Sequence, residues 1–181
     1  MSIFDKDLTI DKPSHLSHIF FGMGCFWGAE KKFWHLDGLY TTVVGYAGGH
    51  TDDPNYEKVC TGTTGHAEVV KVIYDEKKIN LNVLLKIFWE SHNPTQLNRQ
   101  GNDIGTQNRS IILTDQKNLI KELEESKEKF QKLLEAESLG KIQTEIKILK
   151  NFYVAEDYHQ KYLYKNPNGY CGLKGLQVNY T

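Results

Sequence analysis

His18-Ile19-Phe20-Phe21-Gly22-Met23-Gly24-Cys25-Phe26-Trp27-Gly28-Ala29 is the stretch on which the fold turns. Its first six residues are apolar and aromatic, punctuated by Gly22 and Gly24, which suits a short buried strand ending in a tight turn. Beyond the turn, Phe26, Ala29, Phe33 and Leu36 recur at helical spacing, and Gly38 stands where a left-handed cap would end the helix. Cys25 is thereby placed at a helix N-terminus, where unpaired backbone N–H groups would stabilise a thiolate and lower its pKa.

Working outward, Leu39 to Tyr46 and Ala67 to Tyr74 read as strands. The second carries Glu68, Val70, Val72 and Tyr74 on one side. The long loop between them holds Gly45, Gly48, Gly49, Pro54, Gly62 and Gly65, and a loop of that length in a compact domain is more often functional than idle. Leu81, Leu84, Leu85 and Phe88 mark a second buried helix, and Ser110 to Leu113 a further strand. Strand, helix, strand, strand, helix, strand is the split βαβ order, so we expect an α/β two-layer sandwich with a ferredoxin-like βαββαβ core and a mixed sheet. Thr114 or Asp115 is expected to cap a third helix with an apolar stripe of Leu119, Leu123, Phe130, Leu133 and Leu134. A last strand over Thr144 to Leu149 and a short helix over Ala155 to Tyr164 follow. After Lys165 the periodicity stops, leaving an irregular tail with Pro167, Gly169, Gly172 and Gly175 around Cys171.

These elements make one domain of 181 residues, with its core at about 18–164 and a mobile tail over 165–181. Lys and Arg number 22 against 23 Asp and Glu, a net charge of -1, so no summed field draws the chain to nucleic acid or an anionic membrane. No apolar run approaches the roughly 20 residues that span a bilayer, and the polar start over Met1 to Ser14 lacks a leader pattern. A cytoplasmic monomer without membrane or nucleic-acid partners is expected. Cys25, Cys60 and Cys171 are too few and too dispersed for a secreted disulfide scaffold, so reactive thiols are the better reading.

Gly24-Cys25-Phe26-Trp27-Gly28 resembles the signature of the A-type peptide methionine sulfoxide reductases. The resemblance continues through Gly45-Tyr46-Ala47-Gly48-Gly49, Gly65-His66-Ala67-Glu68, Asn102-Asp103-Ile104-Gly105-Thr106-Gln107 and Asn166-Pro167-Asn168-Gly169-Tyr170-Cys171-Gly172, spanning roughly residues 20 to 177 in order. It implies Cys25 as nucleophile and Glu68 as the acid that protonates the sulfoxide oxygen, a carboxyl whose pKa aromatic neighbours would raise. It also implies Tyr56 as a hydrogen-bond donor to that oxygen, Phe26 and Trp27 as the pocket for the S-methyl group, and Asp103 as an organiser of the site. Attack would leave a sulfenic acid that Cys171 resolves as a disulfide. The substrate implied is the S epimer of methionine sulfoxide, in oxidised proteins or peptides and as the free amino acid. No metal or bound cofactor is implied, only an external dithiol.

Two departures stand out. Where the family commonly has Gly-Thr-Gln-Tyr-Arg-Ser, this chain has Asn108, whose amide can still donate but is shorter than Tyr, which puts part of the oxygen site in question and leaves a water or Tyr56 alone as the other candidates to serve it. Where some members carry another C-terminal cysteine, Leu176-Gln177-Val178-Asn179 offers none, so a thioredoxin-type partner is expected to reduce a Cys25–Cys171 disulfide directly. Cys60, with no charge pattern to activate it, is expected to pack as a small hydrophobe.

Three other functions compete. A cysteine hydrolase would pair Cys25 with His66 or His159. A metal enzyme would use His66-Ala67-Glu68 or Glu156-x-x-His159, both incomplete as ligand sets. A peptide-binding module would use Trp27 and the Tyr-rich loops, with no need for a cysteine at a helix N-terminus.

Overall fold

The structure, a computed structural model, describes residues 2–6 and 12–181; Met1 and residues 7–11 of the polar N-terminal stretch lie outside the described residues. Strand β1 (Ser17–Met23) leads into helix α1 (Phe26–Lys31), strand β2 (Leu39–Ala47), helix α2 (Tyr56–Cys60), strand β3 (Ala67–Tyr74) and helix α3 (Leu81–Ser91). A two-residue hairpin, β4 (Arg99–Gln100) and β5 (Asp103–Ile104), precedes strand β6 (Ser110–Thr114), helix α4 (Ile120–Ala136), strands β7 (Glu145–Ile148) and β8 (Phe152–Val154), and helix α5 (Tyr162–Lys165).

The main sheet has the order β7-β6-β1-β3-β2-β8. Its inner four strands, β6-β1-β3-β2, are antiparallel neighbours in the arrangement a βαββαβ core requires. Only β6 and β7 run parallel, which makes the sheet mixed as expected. Alternation along β1 sends Ile19, Phe21 and Met23 to one face and Phe20 to the other. The first face receives α1, α3 and α4 through Phe26, Ala29, Leu84, Phe88, Leu123, Phe130 and Leu134 and forms the main core. Across the sheet, a smaller cluster of Phe20, Ala47, Ala67, Val69, Ile111 and Leu113 is covered by Leu149 and Phe152 rather than by helices. Two glycines allow close approach. A Cβ on Gly22 would stand 2.5 Å from Ile111 Cγ2, and one on Gly45 would stand 2.3 Å from the Tyr153 carbonyl oxygen where β8 docks.

Three expectations are corrected. Neither Thr114 nor Asp115 caps α4: Thr114 is the last residue of β6, paired with Ile148, and a 3-10 turn over Lys117–Leu119 intervenes before a helix with no side-chain cap. Asp115 is taken by the His18 Nε2, 2.7 Å away. The predicted helix over Ala155 to Tyr164 is broken into a 3-10 turn, Asp157–His159, and the four-residue α5. Tertiary polar contacts cause the break. The Gln160 side chain accepts from Val44 N at 2.9 Å and donates to Val44 O at 2.8 Å, filling the place of a strand neighbour. Lys161, left-handed at φ 54°, donates its backbone N–H to Glu30 Oε2 and sets its ammonium 3.2 Å from Glu30 Oε1. The segment read as one long loop contains α2, capped by the Asn55 side chain on Lys58 N.

The tail is irregular throughout and crosses the helical face. Its far end is anchored by Tyr180, which donates its N–H to Glu90 Oε2 and its hydroxyl to Asn82 Oδ1. Cys171, nearer α5, is exposed.

Candidate active site

Strand β1 ends at Gly24, whose φ of 100° only glycine adopts without strain, and the turn delivers Cys25 as the N-cap of α1. The backbone N–H groups of Trp27 and Gly28 act to lower the thiol pKa, as the helix-terminus reading anticipates, although the Cys25 side chain makes no cap hydrogen bond. The expected lowering of the thiol pKa is nevertheless overturned. Burial, with Glu68 close by, pushes the Cys25 thiol up to about 12, and the two N–H groups do not offset it. Helix α1 is only six residues long, so its dipole is small against the desolvation of a nearly enclosed sulfur.

A cavity of about 290 Å³ opens in front of that sulfur, lined by Cys25, Phe26, Trp27, Tyr56, Glu68, Asp103 and Asn108 together with Cys60, Asn102, Ile104, Gln107 and Tyr170. Seven of the eight residues singled out in the sequence thus share one wall. Glu68 enters from the start of β3, cross-strand from Tyr46, and its Oε1 accepts the Phe26 N–H at 3.2 Å. Burial raises its carboxyl to about 8 against that hydrogen bond, with a smaller push from Asp103. The carboxyl therefore holds its proton near neutrality.

The aromatic wall is fixed on several sides. Trp27 stacks on Tyr162 at 3.8 Å between centroids and donates its indole N–H to His159 Nδ1 at 2.9 Å. Phe26 is fully buried between Tyr46 and His159. Tyr56, the first residue of α2, sets its ring edge-on to His159, with Cys60 at the other end of the same short helix also on the cavity. Burial, with Glu68 behind it, holds the Tyr56 hydroxyl well above its ordinary pKa, so it stays a proton donor. Asp103 on β5 accepts the Tyr170 hydroxyl at 3.2 Å. Asn108 ends a 3-10 turn, Thr106–Asn108, and is buried; beside it, Gln107 Oε1 is buried without a protein partner.

Cys171 is the eighth residue and does not line the cavity. It lies beside it on the face of α1: a Cβ on Gly28 would stand 2.9 Å from its sulfur and 3.4 Å from Leu173 Cβ. Tyr170 carries the tail from that point into the cavity wall. Cys25, Cys60 and Cys171 are all free thiols. Cys60 is exposed, which corrects its expected packing role, because α2 turns Val59 inward and leaves its neighbour at the solvent edge.

The competing chemistries find no support in this geometry. His66 belongs to another cavity, with His50, Lys147 and Tyr153, and both its ring nitrogens are engaged, by Gly49 N and Thr51 O. His159 Nδ1 accepts from Trp27, and the ring packs against Phe26 and Tyr56 without lining the cavity at Cys25. Glu156 is enclosed by donors, Tyr46 OH and Tyr56 N, and no cluster of metal-ligating side chains occurs among the described residues. Nor is any described helix long and apolar enough to cross a membrane. Sequence reading missed Gln107, Ile104 and Tyr170 as wall residues, although each lies within or beside a motif already quoted.

Residues 17–179 match the family model described as peptide methionine sulfoxide reductase. The chain belongs to that family. The peptide methionine sulfoxide reductase MsrA of Photobacterium profundum is 57% identical over 172 residues, covering 94% of this chain and 82% of that protein. Methionine sulfoxide reductase A of Corynebacterium diphtheriae superposes with a TM-score of 0.84 at 45% identity, over 88% of this chain and 79% of its own. Mxr1 from Saccharomyces cerevisiae in its reduced form gives 0.82 at 41% identity, over 88% and 91% of the two chains. The same yeast protein in complex with Trx2 gives 0.60 at 29% identity, over 86% and 91%. As a member of the peptide methionine sulfoxide reductase family, the chain is a thiol-dependent oxidoreductase acting on methionine sulfoxide.

Proposed function

We propose that the chain reduces the S epimer of methionine sulfoxide, in oxidised proteins and as the free amino acid, with Cys25 as nucleophile and Glu68 as acid. The observation that carries this reading is a thiol and a protonated carboxyl, each flanked by aromatic rings, on one small cavity. A sulfoxide has an electrophilic sulfur and a basic oxygen, and its reduction needs a nucleophile and a proton donor together. The raised Cys25 thiol fits a site that keeps its sulfur protonated until Glu68, having given its proton to that oxygen, can accept the thiol's.

In the first step Cys25 Sγ attacks the substrate sulfur. The oxygen, protonated through Glu68 and hydrogen-bonded by Tyr56 and the Asn108 amide, ends on Cys25 as a sulfenic acid, and methionine leaves. As the sulfur attacks, the Glu68 carboxylate takes the Cys25 thiol proton in place of the one it gave to the oxygen, so Glu68 ends protonated and one oxygen atom is transferred in net. In the second step the Cys171 thiol attacks the sulfenic sulfur, forming the Cys25–Cys171 disulfide and releasing water. A thioredoxin-type dithiol then exchanges with the disulfide and restores both thiols; the yeast relative solved with Trx2 supports such a partner. Phe26 and Trp27 receive the S-methyl group, and Asp103 organises the wall through Tyr170. In the segment over 165–181, the stretch around Cys171, ahead of the anchored Tyr180, is the moving part that brings Cys171 to Cys25, and its exposed sulfur beside α1 supports this. The chain acts as a monomer, in the cytoplasm, where dithiol reductants are maintained.

Turnover on separated epimers of a methionine sulfoxide peptide tests this reading. Methionine is expected from the S epimer only, and consumption of the R epimer at a comparable rate would refute the stereochemical assignment.

A further inference from the structure

Glu156 takes no part in the steps above, yet it joins three parts of the site. Its Oε1 accepts the Tyr46 hydroxyl at 2.9 Å and its Oε2 accepts the Tyr56 backbone N–H at 3.0 Å. Its own carbonyl accepts the His159 N–H at 2.9 Å, opening the turn that places the imidazole 4.6 Å from the Tyr56 ring.

The need for such a bridge follows from how α2 is held. The helix has five residues, and Val59 is the one it buries. Beyond Val59 and the Asn55 cap, the helix is held through the half-buried Tyr56 ring, packed on the core edge-on to His159, so the placement of Tyr56 depends on the segment that carries Glu156 and His159. Tyr46, by contrast, is fully buried on β2 and sits directly across the strand pair from Glu68. A carboxylate that accepts from both tyrosines therefore ties the Tyr56 backbone to the strand pair that carries Glu68.

We propose that Glu156 is a positioning residue for sulfoxide reduction, its two oxygens spanning Tyr46 and Tyr56 so that the Tyr56 hydroxyl stays in register with Glu68. The inference rests on the reading of Tyr56 as a donor to the sulfoxide oxygen.

What matters on this account is reach, not charge. Glutamine has the same length, and it keeps both contacts by accepting from Tyr56 N–H and donating its NH₂ to the Tyr46 oxygen. Aspartate keeps the charge but is shorter by one carbon, about 1.5 Å, and loses one end of the span. The test is single-turnover methionine formation with a peptide methionine S-sulfoxide in wild type, Glu156→Asp, Glu156→Gln, Tyr56→Phe and the Glu156→Asp/Tyr56→Phe pair, with circular dichroism of each. We expect Glu156→Asp to slow the step about tenfold and Glu156→Gln to stay within about threefold of wild type. In the Tyr56→Phe background, Glu156→Asp should cost less than about twofold, because the group it positions is gone. A slow Tyr56→Phe combined with wild-type rate in Glu156→Asp, or with an undiminished loss in the pair, would overturn the role of Glu156 alone. A wild-type rate in Tyr56→Phe would instead sink the reading of Tyr56, and the inference with it.

Discussion

Cys25 and Glu68 both keep their protons at neutral pH because burial along the wall of the same cavity penalises both anions. Glu68 is the group whose titration falls in an accessible range. Its carboxyl loses its proton near pH 8, so the single-turnover rate should be level below that pH and fall above it. A rate that keeps rising through pH 9 would remove Glu68 as the acid. The same elevation has a stability consequence. Between its ordinary 4.5 and about 8 the folded state binds this proton more tightly than the unfolded state, so folding stability declines as pH rises through that window. Glu68→Gln should cut the sulfoxide step by about 10²–10⁴-fold while raising stability at pH 8, by up to about 4 kcal/mol in denaturant titrations. Asn108→Tyr would return a hydroxyl donor to the wall and should raise kcat/KM about three- to tenfold, the worth of one ordinary hydrogen bond; an unchanged value would mean that the amide or Tyr56 already serves the oxygen.

Helix α1 and the irregular tail that crosses it form the next level. Gly28 is helical and its missing side chain leaves room for the Cys171 sulfur. Gly28→Ala should leave overall stability within about 1 kcal/mol, since the helix gains propensity and Cys171 is an exposed side chain able to shift. Displacing that sulfur should slow disulfide formation while methionine release continues, which thiol counting against methionine yield resolves; unaltered disulfide kinetics would show that the close approach is incidental. At this level the sequence was most informative where periodicity ran for several residues. β1, β2, β3, α3 and β6 lie where the apolar spacing places them, to within a residue or a few at each end. Short elements such as α2, β8 and the β4–β5 hairpin left no such trace, because two to five residues carry too little pattern to separate from a loop. The broken helix before α5 was illegible for another reason: Gln160 and Lys161 take their conformation from Val44 and Glu30, more than a hundred residues away. In the cavity, family-like motifs located Cys25, Glu68 and Tyr56, but the raised thiol depends on enclosure, which no local stretch encodes.

Across the whole molecule, the Glu30–Lys161 pair locks α1 to the segment bearing Glu156 and His159. Both side chains are buried, and the Thr42 hydroxyl donates to Glu30 at 2.8 Å. Removing one partner leaves an unpaired buried charge, so Lys161→Met should cost about 3–5 kcal/mol in chemical denaturation, and Glu30→Leu added to it should recover much of the loss. A cost below about 1 kcal/mol would mean that solvent reaches the pair. The proposed turnover draws on this whole frame, since the proposed nucleophile follows β1, the proposed acid begins β3 and the second thiol lies in the tail. The direct test is anaerobic single turnover of the reduced protein with a peptide methionine S-sulfoxide, counting methionine and free thiols in wild type, Cys25→Ser and Cys171→Ser. Wild type is predicted to release about one methionine and lose about two thiols, Cys171→Ser to release methionine without forming the intramolecular disulfide, and Cys25→Ser to release none. Methionine formation by Cys25→Ser would contradict the account.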